Sequence, residues 1–179
     1  MHKYATVAVQ KYIDALKAAG GTVADQLLEL FPQIHPDSPY DKALAGMIEL
    51  GGYMYWYGPT RDLVRVYKAA EKPVYVYSFD QANPWAPERG AHHAADLLYW
   101  FNGYELPMGD DQKVADGMMT ALVRHVNGEA PWAEYHEHDV CAFGPNGYVG
   151  VVNERDRRRQ HVLDVLQKAG VHLSWKIGE

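Results

Sequence analysis

Gly90-Ala91-His92-His93-Ala94-Ala95-Asp96-Leu97-Leu98-Tyr99-Trp100-Phe101 brings a candidate proton-transfer group, a carboxylate and an apolar anchor within about one helical turn of each other. Directly upstream, Pro73 to Phe79 reads Pro-Val-Tyr-Val-Tyr-Ser-Phe, a short apolar run of β-branched and aromatic residues that predicts a buried strand. From Asp80 to Arg89 the chain holds Asn83-Pro84 and Pro87, and Gly90 follows, so neither sheet nor helix continues there. The histidines are therefore expected on a loop at the carboxyl end of a strand. Open α/β folds concentrate their chemistry at that position.

Around this stretch, helical spacing dominates. Val7, Val9, Tyr12, Ile13, Leu16 and Ala19 predict a helix over Ala5 to Ala18 that Gly20-Gly21 stops. Thr22, three residues before Asp25, suggests a capping box opening a second short helix that ends at Pro32. Ala43, Leu44, Met47, Ile48 and Leu50 predict a third. The run Tyr53-Met54-Tyr55-Trp56-Tyr57 reads as core or interface packing in preference to a ligand box. Gly58-Pro59-Thr60 is expected to break the chain, with Thr60 capping a helix through Ala70. Beyond Phe101, Val114, Met118, Leu122 and Val126 predict a helix from about Asp111, stopped by Gly128. Cys141-Ala142-Phe143 and Tyr148 to Val152 flank Gly144-Pro145-Asn146-Gly147, where Asn-Gly signals a hairpin. The charge run Glu154 to Arg159 is expected to open a last helix that Gly170 stops. No linker or repeat divides the chain, which predicts one domain over residues 1–179.

Composition excludes several classes of function. At 179 residues with 47% hydrophobic and 22% charged, the chain can bury a core. Its net charge of −6 and pI near 5.8 argue against nucleic acid or an acidic membrane surface as partner. The single cysteine, Cys141, cannot form an internal disulfide and reads as a packed thiol. Lys3, Lys11 and Asp14 interrupt the N-terminal apolar residues, so no apolar core of signal-peptide length is present, and a cytoplasmic location is expected.

His93 is the better base candidate of the two adjacent histidines, since Asp96 lies three residues on and Gly90 leaves the backbone free to aim the ring. The structural alternative is a histidine satisfied by one local hydrogen bond. A metal reading would pair His92 with Asp96, four apart on a helix, or His136 with His138. Neither pair makes a closed site, so no metal and no cofactor is expected. Ser38, Ser78 and Ser174 lie in no strained turn that would make a nucleophile.

The strand, the loop and the pattern Gly90, His93, Asp96 and Phe101 resemble the C-terminal part of the type-B carboxylesterases, the α/β-hydrolase family that includes the cholinesterases. Leu30-Phe31-Pro32, the strand Val74 to Phe79, the stretch Gly128 to Tyr135 and the closing segment Phe143 to Leu166 are similar in order and spacing, over roughly residues 20–168. Asp96 stands where the family usually has Glu, and Pro131-Trp132 where it more often has Trp followed by Pro.

The resemblance implies an α/β fold of which this chain is the C-terminal segment: mostly helical, with Pro73 to Phe79 as a parallel strand and a further strand or hairpin around Phe143 to Val152. It implies that His93 is the general base of a Ser-His-acid triad, with Asp96 and Gly90 supporting the histidine region, and that the substrate is a small-molecule carboxylic ester. The family order is serine, acid, histidine. The serine elbow, oxyanion hole and triad acid would thus lie before residue 1, in a missing segment or an N-terminal partner chain. Without them the histidine should be a poor catalyst, since one oxyanion donor alone is worth about 2.7–4 kcal/mol. The alternative is a noncatalytic binding or interaction module built on a truncated hydrolase fold. Trp85, Tyr99 and Trp100 suit packing or a pocket wall equally.

Overall fold

The computed structural model describes residues 2–107 and 109–169, and the side chains of residues 6–107 and 109–168. They are mostly helical with one small sheet and form two compact units. Among the described residues, one comprises 2–70 and 159–169, and the other 71–107 and 109–158.

Among the described residues the first unit is built of helices joined by turns. Helices α1 (His2–Gly20) and α2 (Thr22–Leu30) meet at Gly21. Gly21 takes φ 53°, open to glycine, so it occupies the cap and Thr22 becomes the first helical residue with no capping bond. The expected capping box is therefore absent, and Asp25 instead pairs with Lys17 at 3.1 Å. Val9, Ile13 and Leu16 line the buried face of α1 and meet Leu27, Phe31, Leu50 and Tyr53 in one core.

Helix α3 (Tyr40–Gly52) does not break at Gly58-Pro59-Thr60. It passes through a π turn, Tyr53–Tyr57, straight into α4 (Gly58–Ala69). Pro59 has no N–H to give the ladder and its ring crowds the preceding turn, so widening that turn lets the helix continue. The Gly58 N–H accordingly bonds back to the Tyr53 carbonyl. The aromatic run is split by this turn: Tyr53 and Met54 are buried, whereas Tyr55 and Trp56 are 46% and 54% exposed. Helix α7 (Gln160–Ala169) adds Val162, Leu163 and Leu166 to the core. Arg159, just before it, lays its guanidinium 4.3 Å over the Phe31 ring, and its backbone N–H donates to the Tyr53 hydroxyl at 2.7 Å. The expected stop at Gly170 lies outside the described residues.

The second unit carries the sheet, in the order β1 (Tyr77–Phe79), β2 (Asp139–Phe143), β3 (Val149–Asn153). Strands β1 and β2 run parallel with Tyr77 opposite Cys141 and Phe79 opposite Phe143; β2 and β3 form the expected antiparallel hairpin. Central β2 is buried from Val140 to Phe143, which explains its unbroken apolar run. Paired strand occupies only the last three residues of the expected Pro73–Phe79 stretch. Val74 and Val76 carbonyls still accept bonds from Tyr135 and Cys141, but Glu137 and His138, at φ 46° and 77°, turn the partner chain away before a continuous ladder can form.

Helix α5 (Asp96–Phe101) and helix α6 (Gly109–Val126) pack beside this sheet. The buried stripe of α6 is Asp111, Val114, Ala115, Met118 and Ala121, and Val126 stands 76% exposed. A strict four-residue step drifts off the face of a 3.6-residue helix, so the expected stripe holds for its first half only. Glu154 to Arg159 also fails to open a helix. A 3-10 turn spans Glu154–Asp156 and α7 begins at Gln160; between them the Arg157 and Arg158 N–H groups bond back to the Glu154 carbonyl while their guanidinium groups reach Asp80. Cys141 is buried, and burial pushes its thiol up to about 11, in keeping with a packed group.

Candidate active site

The histidine loop leaves β1 at its carboxyl end and returns as α5, as the proline and glycine pattern predicts. Its entry is fixed first. The Asp80 N–H donates to the Phe143 carbonyl at 2.7 Å, carrying the parallel ladder one step past β1. The Asp80 carboxylate accepts Arg158 Nη2 at 2.5 Å, Arg157 Nη1 at 3.1 Å and Ser78 Oγ at 3.2 Å, while Arg157 Nη1 also donates to the Gly144 carbonyl at 2.8 Å. Gly144 is tightly required here. Its φ is +88°, and an added Cβ would fall 2.3 Å from the Gln81 nitrogen.

Within the loop, Asn83 organises the turn. Its Oδ1 accepts the N–H groups of Trp85 at 2.9 Å and Ala86 at 3.1 Å, which leaves its Nδ2 facing His92 Nε2 at 2.8 Å. Nε2 is therefore an acceptor, and the His92 proton sits on Nδ1, which donates to the His93 carbonyl at 3.1 Å. Both His92 nitrogens are engaged. Gly90 has φ 62° and ψ −157°, a conformation closed to side-chain-bearing residues, and its carbonyl accepts the Asn83 N–H. The turn ends with Ala94 at φ 64°, after which α5 starts at Asp96. His92 and Asp96 consequently do not share a helix face, and the metal pairing fails on geometry.

His93 is exposed on this turn. The Asp96 carboxylate accepts a 2.8 Å bond from the Tyr77 hydroxyl on β1, and Trp100 Nε1 donates to that hydroxyl at 3.4 Å. Tyr77 lies among Trp100, Trp132 and Phe143. Burial pushes its hydroxyl up to about 12, with the Asp96 carboxylate adding to the rise. Of the three aromatic residues near the histidine, Tyr99 is fully buried packing, Trp100 is half-buried and Trp85 is 54% exposed.

Beneath the loop lies a polar cluster that sequence reading missed. Gln81 Nε2 and the Tyr99 hydroxyl both donate to Asp111 Oδ1, at 2.7 and 2.9 Å. The Tyr99 hydroxyl also lies 3.2 Å from the Ala82 carbonyl, and Gln81 Oε1 accepts the Gly147 N–H at 3.2 Å. Burial and the neighbouring Asp111 hold the Tyr99 hydroxyl protonated far above the usual tyrosine range. In the sequence, Asp111 differs in no way from Asp110 as an acid in a helix's first turn. Only packing sends one inward.

The second metal pairing is also occupied. His138 Nδ1 faces Glu154 Oε1 at 3.2 Å and its Nε2 accepts Arg155 Nη2 at 2.8 Å, so neither ring nitrogen offers a lone pair. Among the described residues no group of three His, Cys, Asp or Glu side chains is arranged to hold a metal, and no helix is long and apolar enough to cross a membrane.

Residues 2–160 match the carboxylesterase family. The chain belongs to that family. Among curated proteins, Lipase 1 of Yarrowia lipolytica is 35% identical over 72 residues, which is 40% of this chain and 15% of the lipase. The chain thus spans only a small part of that relative. No solved structure matches it. The mostly helical fold with its small three-stranded sheet is consistent with a partial α/β-hydrolase segment within the carboxylesterase family.

Proposed function

We propose that this chain is the histidine-bearing segment of a carboxylic ester hydrolase, with His93 as general base toward a serine supplied from outside residues 1–179. His93 takes the serine proton as the hydroxyl attacks the ester carbonyl, then returns it to the leaving alcohol. The observation that carries this reading is the place of His93: on the loop leaving a parallel strand at its carboxyl end, inside the stretch that matches the carboxylesterase family. Asp96, tied to Tyr77, steadies the start of α5 below that histidine, and Gly90 supplies the backbone turn that precedes it. In the first unit, Ile48, Trp56, Leu63 and Val66 are each more than half exposed along α3 and α4. Apolar side chains in that number suit cover by further protein. A cytosolic setting, in which Cys141 stays reduced, goes with this reading.

The test begins with the encoded polypeptide, including any in-frame sequence ahead of Met1, assayed on p-nitrophenyl butyrate. His93→Ala should lower kcat by up to about 10⁶-fold, because triad members act as a unit. His92→Gln, one position away, should lower it less than tenfold. Equal loss in both variants, or hydrolysis indifferent to His93, overturns the assignment and leaves the noncatalytic binding module.

A further inference from the structure

The histidine loop is shaped by bonds within itself, several of them from the Asn83 and His92 side chains. Backbone bonds from Asn83 to Gly90, Ala86 to Asn83, Arg89 to Ala86, Gly90 to Pro87 and Ala95 to His92 join them, and all of these contacts lie within the loop. Its exit helix α5 has 6 residues, too short to persist without tertiary support. Asp111 lies in the first turn of α6, a helix of 18 residues and the longest element of this unit. At that position an acidic side chain is favoured by the helix N-terminus.

One oxygen of Asp111 reaches both ends of the loop. Oδ1 accepts from Gln81 at the entry and from Tyr99 on the exit helix, and the same Tyr99 hydroxyl faces the Ala82 carbonyl. The other oxygen, Oδ2, is buried and receives no hydrogen bond among the described residues. Asp111 is 1% exposed, so this is a desolvated acceptor left unmatched. Such a cost without structural return gathers at functional sites.

We infer that Asp111 is a positioning residue for His93: it clamps the entry and exit of the histidine loop to the rigid helix α6 and so holds the imidazole where proton transfer requires it. The inference rests on the reading of His93 as general base. Because both donors fall on Oδ1, the clamp needs an acceptor at one place and not a charge. Asparagine offers that acceptor and alanine does not.

The experiment uses Asp111→Ala, Asp111→Asn and Tyr99→Phe in the encoded polypeptide, the last removing only a hydroxyl from a packed ring. Two quantities are read: hydrogen exchange of the Asn83, Ala86, Gly90 and Ala95 amides, and kcat and KM for p-nitrophenyl butyrate. Asp111→Ala and Tyr99→Phe should speed exchange at those amides at least tenfold and lower kcat at least tenfold, with KM moving less than twofold. Asp111→Asn should restore both to within threefold of the parent. Asparagine as damaging as alanine, or unchanged exchange in Tyr99→Phe, overturns the clamp. If the parent shows no His93-dependent hydrolysis, the general-base reading fails, and the exchange data alone decide whether Asp111 holds the loop.

Discussion

Replacing Asp80 by alanine removes the anchor at which β1 becomes the histidine loop. In the folded protein this carboxylate receives two guanidinium groups and one hydroxyl, and the side chains of Asp80, Arg157 and Arg158 are only 18%, 22% and 12% exposed. Breaking a buried pair by deleting one partner costs about 3–5 kcal/mol where the remaining charge has no other contact. Here each arginine keeps a carbonyl, Gly144 for Arg157 at 2.8 Å and Arg157 for Arg158 at 3.0 Å. Residual solvent access screens part of the rest, so the expected loss falls to about 2–3 kcal/mol. With a urea m-value of about 2 kcal/mol/M, the unfolding midpoint should drop by about 1 M or more. Lys17→Ala is the control, because Lys17 and Asp25 are 52% and 57% exposed and their pair should contribute no more than about 0.5 kcal/mol. Unfolding is followed by intrinsic fluorescence at low salt and in 1 M NaCl. The Lys17 effect should vanish in salt while most of the Asp80 effect survives. A midpoint for Asp80→Ala within about 0.25 M of the parent, or a loss that 1 M salt erases, would refute the argument that these charges act through burial.

Gly144→Ala should destabilise by about 3 kcal/mol in the same urea assay, since a side chain at φ +88° is strained and its Cβ would meet the Gln81 and Asp80 backbone at 2.3–2.8 Å; a loss under about 1 kcal/mol would contradict the close approach. Ala94→Gly should raise stability by about 0.5 kcal/mol, the relief of a left-handed alanine at φ 64° less the extra freedom of glycine in the unfolded chain; a lower midpoint would count against that backbone turn. The alkaline limb of stability reports Tyr77. Its folded pKa, about 12, lies above the ordinary 10.0, so its contribution is complete below pH 10 and is lost as pH rises toward 12. Tyr77→Phe should flatten the fall of stability over that range, and an unchanged alkaline slope would show that Tyr77 is not held protonated by its burial.

Much of this architecture is legible without coordinates. The β-branched and aromatic run before Asp80, the prolines and Gly90 after it, and the Asn-Gly turn each act through local backbone chemistry, and they place β1, the loop and the β2–β3 hairpin. Local rules misread the elements that distant contacts reshape. Gly58-Pro59 carries every sign of a break, yet the π turn absorbs it because Tyr53 and Met54 gain burial by continuing the helix. Arg157 and Arg158 read as helix-opening charge, yet their guanidinium groups reach a carboxylate some 77 positions away.

The candidate site divides along the same line. His93, Asp96 and Gly90 stand within one short stretch, so residue type and spacing mark them as candidates, and Gly90, read as a point of backbone freedom, takes φ 62°. The partners were hidden. Tyr77, Gln81, Tyr99 and Asp111 are scattered along the chain, and each carries an unremarkable role in its own element until strand pairing and the packing of α6 bring their polar atoms within hydrogen-bond distance. The sequence by itself carried the family resemblance, through Gly90, His93, Asp96 and Phe101, and it determined the strand, the hairpin and the loop that bears the histidine, because those elements follow from local propensity and hydrophobic period. Only the tertiary structure decided that Asp111 turns inward to meet Gln81 and Tyr99 and which arginines hold Asp80, because burial turns a polar side chain from a solvated group into one that must find its partner.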